Sequence, residues 1–258
     1  MNFAIILAGG QGKRFGASIP KQYIEVNGKP LLYYTIKAFE ESDVDKISIV
    51  AGSDYVRFVL SEIVDKYNFK KVFRICEGGS ERFISALHGL DDISDVASDN
   101  DIVLIHDGAR PFIKPCEINT IIDETHKYGA AIAAMPVKDT IKIAREVCKD
   151  SNANKIEKTN KSENGENADK EYFVESTTAR SLTWQIQTPQ GFDYKKLFDA
   201  YKQLGTLTSQ EKSLITDDSM IWEKAYKESY PVKLVKTSYS NIKITNLEDL
   251  EVAKASLK

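Results

Sequence analysis

An α/β domain built on a mostly parallel sheet is the fold this sequence predicts, and three observations predict it. Short apolar runs alternate with longer segments of helical periodicity along most of the chain. Two of the runs end in glycines before a helical segment, at Gly9-Gly10 and at Gly78-Gly79-Ser80. A third run, Asp101 to His106, stops at Asp107-Gly108-Ala109-Arg110-Pro111, which continues neither strand nor helix and sets polar groups where open α/β sheets bind ligands.

Taken in order, Phe3 to Leu7 is a β-branched and aliphatic run suited to a central parallel strand. Pro30 to Glu41 carries Leu31, Leu32, Ile36 and Phe39 on a helical stripe, and Lys46 to Val50 completes a βαβ unit. The pattern then predicts a helix over Tyr55 to Tyr67, a strand over Lys71 to Cys76, and a helix over Ser80 to Leu90 with Glu81 and Arg82 in its first turn. A strand over Asp101 to His106, a helix over Pro115 to Tyr128 and a buried strand over Ala130 to Met135 follow.

From Arg145 to about Lys170, Lys, Asn, Glu and Ser dominate, the composition of a solvated, mobile segment. Its flanks, Thr140 to Ile143 and Tyr172 to Val174, suit the two legs of a hairpin. Ser181 to Phe192 contains Pro189, which forbids helix continuation, while Trp184 and Ile186 offer surface to bury. Helices are expected over Tyr194 to Leu204, Met220 to Tyr226 and Asn246 to Leu257, with Asp217 a candidate cap for the second. A strand over Lys233 to Lys236 and a short extended piece over Asn241 to Thr245 lie between the last two.

Composition narrows the function. Lys and Arg total 35 against 38 Asp and Glu, a net charge of -3, which excludes the broad basic field of a nucleic-acid binder and favours a small-molecule ligand. The three cysteines, Cys76, Cys116 and Cys148, form no C-x-x-C pair, and no apolar stretch is long enough for a signal or membrane segment. A cytoplasmic protein without membrane association is the expectation. His88, His106 and His126 lack ligand-like spacing, so a Cys/His metal site is not expected.

The stretch LAGGQGKRFGASIPKQY, from Leu7 to Tyr23, reads as a phosphate cradle. Glycines 9, 10 and 12 let the chain turn sharply after an apolar strand, and backbone N–H groups freed by such a turn can point at an anion. No Walker loop is present, and the third glycine of a dehydrogenase fingerprint is missing. Arg14 closes the loop, and Lys21, after Pro20, is spaced to reach back over the same phosphates. Asp107, a carboxylate at the end of an apolar strand, needs either a buried partner or a ligand.

The chain resembles the cytidylyltransferases that act on small polyol phosphates, and most closely the 2-C-methyl-D-erythritol 4-phosphate cytidylyltransferase family. The resemblance is carried by LAGGQGKRFG and PKQY, EGGSERFISAL at Glu77 to Leu87, HDGARPF at His106 to Phe112 and PVKDTIK at Pro136 to Lys142. It continues through QTPQGF at Gln187 to Phe192, TDD at Thr216 to Asp218 and NIKIT at Asn241 to Thr245, so the ordered blocks span nearly the whole chain.

The resemblance implies a three-layer α/β/α nucleotidyltransferase (Rossmann-like) fold. It implies one domain over 1–258, with a projecting β-arm over 137–183, polar at its tip, exchanged across a homodimer. The implied reaction joins CTP to a polyol phosphate, with Mg²⁺, and releases pyrophosphate. Ala8, Gly9, Gly10, Gly79, Ser80, Arg82, Ser85 and Gly108 are the implied nucleotide-binding set. Arg14, Lys21 and Lys243 are the implied catalytic cations, and Asp107 the metal-proximal carboxylate. Arg110, Thr140, Arg180, Thr188 and Thr216 are implied to contact the polyol phosphate, several from the partner's arm.

Elementary chemistry agrees with that reaction. A phosphate monoester has a second pKa of about 6, so its attacking oxygen is already ionised at neutral pH and no general base is required. Two departures from the family pattern bear on the acceptor: Gly9-Gly10 stands where an alanine usually precedes the glycine, and Gly108 where the family usually has alanine. The Leu-Ala-Gly-Gly form is shared with ribitol-5-phosphate cytidylyltransferases, which remain an alternative, although PVKDT and TDD look more like the erythritol-phosphate enzymes. A non-catalytic nucleotide-binding regulator on the same fold is the alternative of another class, and the presence of Arg14, Lys21 and Asp107 speaks against it.

Overall fold

The computed structural model describes residues 1–10, 19–148, 170–206, 208, 211–212, 214–226 and 228–257. Arg14, Gly12 and the polar tip expected between Arg145 and Lys170 therefore lie wholly or mainly outside the described residues. The chain forms two compact units, one of residues 1–135 with 186–258 and the other of residues 136–185.

In the larger unit the strands are β1 (Asn2–Ala8), β4 (Lys46–Ala51), β5 (Val72–Glu77), β6 (Ile102–Asp107), β7 (Ala130–Pro136), β10 (Trp184–Asp193) and β11 (Lys233–Lys236), with a two-residue pair, β2 (Glu25–Val26) and β3 (Lys29–Pro30), set apart. The seven strands order as β11-β7-β10-β6-β1-β4-β5. The ladders of β1 with β4 and β6, of β4 with β5 and of β7 with β11 are parallel, and β10 runs antiparallel to β6.

Alternation along the strands explains the layers. Ala4, Ile6 and Ala8 of β1 face one core while Phe3 and Ile5 face the other, as the period of two requires. The first core packs under α1 (Leu31–Glu40), α2 (a helical segment over 53–65), α4 (Pro115–Tyr128) and α7 (Leu247–Ser256). The second packs under α3 (Arg82–Asp92), α5 (Tyr194–Lys202) and α6 (Asp218–Tyr226). Helices on both faces of a mostly parallel sheet give the three-layer α/β/α arrangement expected.

Caps and breakers set the boundaries. Gly129 ends α4 at φ 79 in the left-handed region, and Asn246 begins α7 by accepting from the Asp249 N–H at 2.8 Å. Asp217 caps α6, accepting from the Met220 N–H at 3.1 Å. Two sequence expectations shift. The helix expected from Ser80 begins at Arg82, because Glu81 is extended (φ -129, ψ 161). The segment over 53–65 is wound first tightly and then as a wider π-turn rather than as one α-helix. Asn241 to Thr245 joins no sheet and is pinned instead by the Ile244 N–H donating to the Ala109 carbonyl at 2.9 Å.

In the smaller unit, β8 (Lys142–Cys148) and β9 (Lys170–Thr177) pair antiparallel with a register shift between Ile143 and Ala144.

Gly89 lets α3 lie close to the sheet: a Cβ there would sit 2.5 Å from the Ile5 Cγ2 and 3.0 Å from the Val50 Cγ2. Gly89→Val should cost roughly 2 to 3 kcal/mol in urea unfolding, with an unchanged denaturant slope, because overpacking forces the two strands to give way.

Candidate active site

The carboxyl ends of four adjacent parallel strands carry the motifs. β1 runs into Gly9-Gly10, β4 into Gly52, β5 into Gly78-Gly79 and β6 into Gly108. The register pairs Leu7 with Asp107 and Ala8 with Ala51, so the glycine turn and the aspartate corner are neighbours. The Gly108 N–H donates to the Leu7 carbonyl at 2.9 Å. Gly108 allows a close approach: a Cβ there would stand 3.0 Å from both the Leu7 oxygen and the Leu32 Cδ1.

Asp107 is buried, and three cations meet it. The Arg82 Nε donates to its Oδ1 at 3.1 Å, the Lys243 Nζ lies 2.9 Å from Oδ2, and the Arg110 Nε lies 3.5 Å from Oδ2. Burial alone would raise the Asp107 pKa, but Arg82, Lys243 and Arg110 together hold the carboxyl far below the usual carboxylate range. Arg110 is itself pulled down by burial, and its Nη1 donates to the Asn241 carbonyl at 2.9 Å.

Arg82 is a bridge. Its Nη1 and Nη2 grip Asp218 at 3.0 and 2.8 Å while its Nε holds Asp107. Burial opposes the Arg82 charge, yet the two carboxylates raise its pKa well above the ordinary value. Asp218, fully buried, also accepts from the Tyr201 hydroxyl, which burial and that carboxylate keep protonated. Arg82, Asp107, Arg110, Thr188, Thr216 and Lys243 line one pocket together with Gln187, Gln190 and Asp217.

Thr188 lines that pocket with its hydroxyl already engaged. It accepts from the Asp107 N–H at 3.1 Å and meets the His106 Nδ1 at 3.0 Å. The other His106 nitrogen faces the Arg110 carbonyl at 3.2 Å, so a neutral ring with its proton on Nε2 satisfies both contacts. Burial drives this histidine down from 6.5 to about 3.

The remaining residues are placed differently. Ser85 turns inward, accepting from the Gly79 N–H at 3.0 Å, and Ser80 is exposed. Lys21 sits in a short helical turn, Lys21–Tyr23, where its charge reaches Asp249 at the start of α7. Thr140 and Arg180 are exposed on the smaller unit. Sequence reasoning missed Asp218 as the anchor of Arg82 and Gln22 as a brace of the glycine turn. The signal for Asp218 was a second carboxylate just ahead of an apolar helical stripe.

Among the described residues no three His, Cys, Asp or Glu side chains converge as a metal cage. Mg²⁺ asks for less, since it takes one or two carboxylates and completes its shell with substrate phosphates and water. Asp107, anionic and facing the pocket, fits that demand.

Fold and site together define an α/β nucleotidyltransferase-like protein. The chain belongs to the 2-C-methyl-D-erythritol 4-phosphate cytidylyltransferase family, whose model matches residues 2–164 and 153–258. It is 42% identical over 255 residues to the protein of that name from Lachnoclostridium phytofermentans, covering 99% of this chain and 95% of the relative. The Lachnospira eligens protein of that name is 42% identical over 259 residues, covering all of both chains. Among solved structures, the 4-diphosphocytidyl-2C-methyl-D-erythritol synthase of Anaerococcus prevotii superposes with a TM-score of 0.75 at 30% identity, covering 100% of this chain and 96% of that one. The Francisella tularensis 2-C-methyl-D-erythritol 4-phosphate cytidylyltransferase gives 0.71 at 27% identity, covering 99% of each.

Stability should fall on acidification for two reasons with the same sign. His106 is neutral in the fold and takes a proton more readily when unfolded, so its contribution is complete above about 6.5 and is lost as pH falls towards 3. The depressed Asp107 carboxyl adds stability above its unfolded value that is lost at still lower pH. Denaturant titrations of His106→Asn should lack about 2 kcal/mol of the loss the parent protein shows between pH 6.5 and 5.

Proposed function

We propose that this chain joins CTP to 2-C-methyl-D-erythritol 4-phosphate, giving 4-diphosphocytidyl-2-C-methyl-D-erythritol and pyrophosphate. The observation that carries the reading is the set of cations held on Asp107 beside a glycine turn, in a pocket whose neighbouring histidine is committed to internal contacts. Such a site is suited to gathering phosphates and poorly suited to removing a proton. The names of the relatives supply the acceptor.

An oxygen of the acceptor's phosphate dianion attacks the α-phosphorus of CTP. The bond from that phosphorus to the bridging oxygen breaks, and pyrophosphate leaves with the electron pair. No proton has to move, so the barrier is one of alignment and of charge, and cations aimed at the transferring group lower it. Lys243, with its ammonium on Asp107 but over a third exposed, is placed to turn from the carboxylate to an incoming phosphate. Arg14 and Lys21 take the triphosphate, while Ala8, Gly9, Gly10, Gly79, Ser80, Ser85 and Gly108 form the nucleotide's bed. Arg82 acts from behind, holding Asp107. Arg110 and Thr216 receive the polyol phosphate, and Thr188, its hydroxyl held by the Asp107 N–H and His106, walls the same pocket. Mg²⁺ held by Asp107 would neutralise charge on the triphosphate.

A homodimer formed through the hairpin belongs to the same proposal. It is supported by the apolar side chains that β9 and the following turn leave in solvent: Tyr172 and Val174, each 65% exposed, and Leu182, 82% exposed. Cys76 and Cys116 are free thiols, which supports a cytoplasmic enzyme; separately, no helix among the described residues is long and apolar enough to cross a membrane.

Pyrophosphate release should occur with CTP and methylerythritol phosphate, and not with ribitol phosphate or hexose 1-phosphates. Turnover of ribitol phosphate instead would reassign the acceptor, and CTP binding without any release would leave a regulator. In the same assay Lys21→Ala and Lys243→Ala should each lower kcat by roughly 10²-fold or more, the loss typical of one preorganised charge-stabilising donor. In sedimentation, Val174→Asp combined with Leu182→Asp should convert a dimer to a monomer; a dimer that persists removes the hairpin from the interface.

A further inference from the structure

Gln22 follows the lysine assigned to the phosphates, and its own side chain is turned into the protein. It is 3% exposed, and its Nε2 donates to the carbonyls of Ala8 at 2.6 Å and of Gly10 at 3.0 Å. The Ala8 carbonyl takes a second donor, the Tyr23 hydroxyl at 2.9 Å. Tyr23 is fixed in turn by stacking on Tyr55 with ring centroids 4.7 Å apart, and burial raises its pKa so that the phenol stays a donor.

A peptide group is planar and trans, so a carbonyl drawn one way sends the N–H of the same plane the other way. Gripping the Ala8 carbonyl therefore aims the Gly9 N–H away from Gln22, and gripping the Gly10 carbonyl keeps a second negative end off the open face of the turn. Glycine itself offers little resistance to peptide rotation, so the orientation of these peptides rests on the side chains that grip their carbonyls. We propose that Gln22 is a positioning residue that sets the polarity of the glycine turn, so that N–H groups rather than carbonyl oxygens meet the nucleotide's phosphates. This rests on the reading of that turn as the phosphate cradle for CTP.

The test is calorimetric titration of the full chain with CTP and Mg²⁺, paired with steady-state kinetics and ligand-free thermal unfolding. In the parent protein, absence of CTP binding would overturn the functional reading itself, before any variant is made. Given that binding, Gln22→Glu places a carboxylate against two carbonyl oxygens. It should weaken CTP at pH 7.5 by about tenfold or more and raise KM for CTP while leaving KM for the polyol phosphate within about twofold. The defect should shrink at pH 5.5, where a buried carboxyl regains a proton and with it a donor. Gln22→Met, which keeps the length without the donors, should show a smaller loss with no pH dependence, and it decides the matter if the charged variant does not fold. CTP affinity within twofold of the parent in a folded variant, or equal losses for both substrates, overturns the assignment.

Discussion

A carboxylate taken out of water must be matched by positive charge, and Asp107 imposes that demand on the whole site. Its place at the end of a strand buried on both faces removes it from solvent, and an isolated ion there would cost several kcal/mol. The chain answers with Arg82 from α3, Arg110 from the corner after β6, and Lys243 from the segment before α7. Those segments are far apart in sequence and meet because one charge needs them. Asp218 extends the arrangement inward: Arg82 is held from behind by a second buried carboxylate, which the Tyr201 hydroxyl ties to the core under α5.

The same economy explains what the site leaves out. His106 stands next to Asp107 and would be the obvious acid or base, yet its ring is packed on Phe39 and both its nitrogens are occupied. Thr188 spends its hydroxyl on that histidine and on the Asp107 backbone. Charge is concentrated while proton-transfer capacity is suppressed, which suits an acceptor that arrives already ionised.

Much of this was legible in the sequence, for local reasons. β1, β4, β6 and α4 announce themselves because an apolar run or a 3.6-residue stripe needs no partner to be recognised, and the glycines after the strands mark the ligand end of the sheet. The start of α3 was misjudged because Ser80 and Glu81 have the composition of a first turn but not its backbone. The Asn241 to Thr245 segment reads as a short extended piece, but its anchor, the Ile244 N–H on the Ala109 carbonyl, joins positions too far apart in sequence to be foreseen. Arg82 could be assigned to the site but not to its partners, since its contact with Asp218 joins positions that no spacing rule connects. Gln22 was hidden for a different reason: between a lysine and a tyrosine it looks like a solvated turn residue, and only the direction of two carbonyls reveals it.

Lys243 lies downstream of every strand in the seven-stranded sheet. During synthesis, a nascent chain whose sheet strands have all emerged from the ribosome still lacks one of the cations on Asp107. Emergence of a late loop, rather than of the last strand, therefore brings the third cation to Asp107, and a translation product that ends before it has only the two arginines to set against that carboxylate.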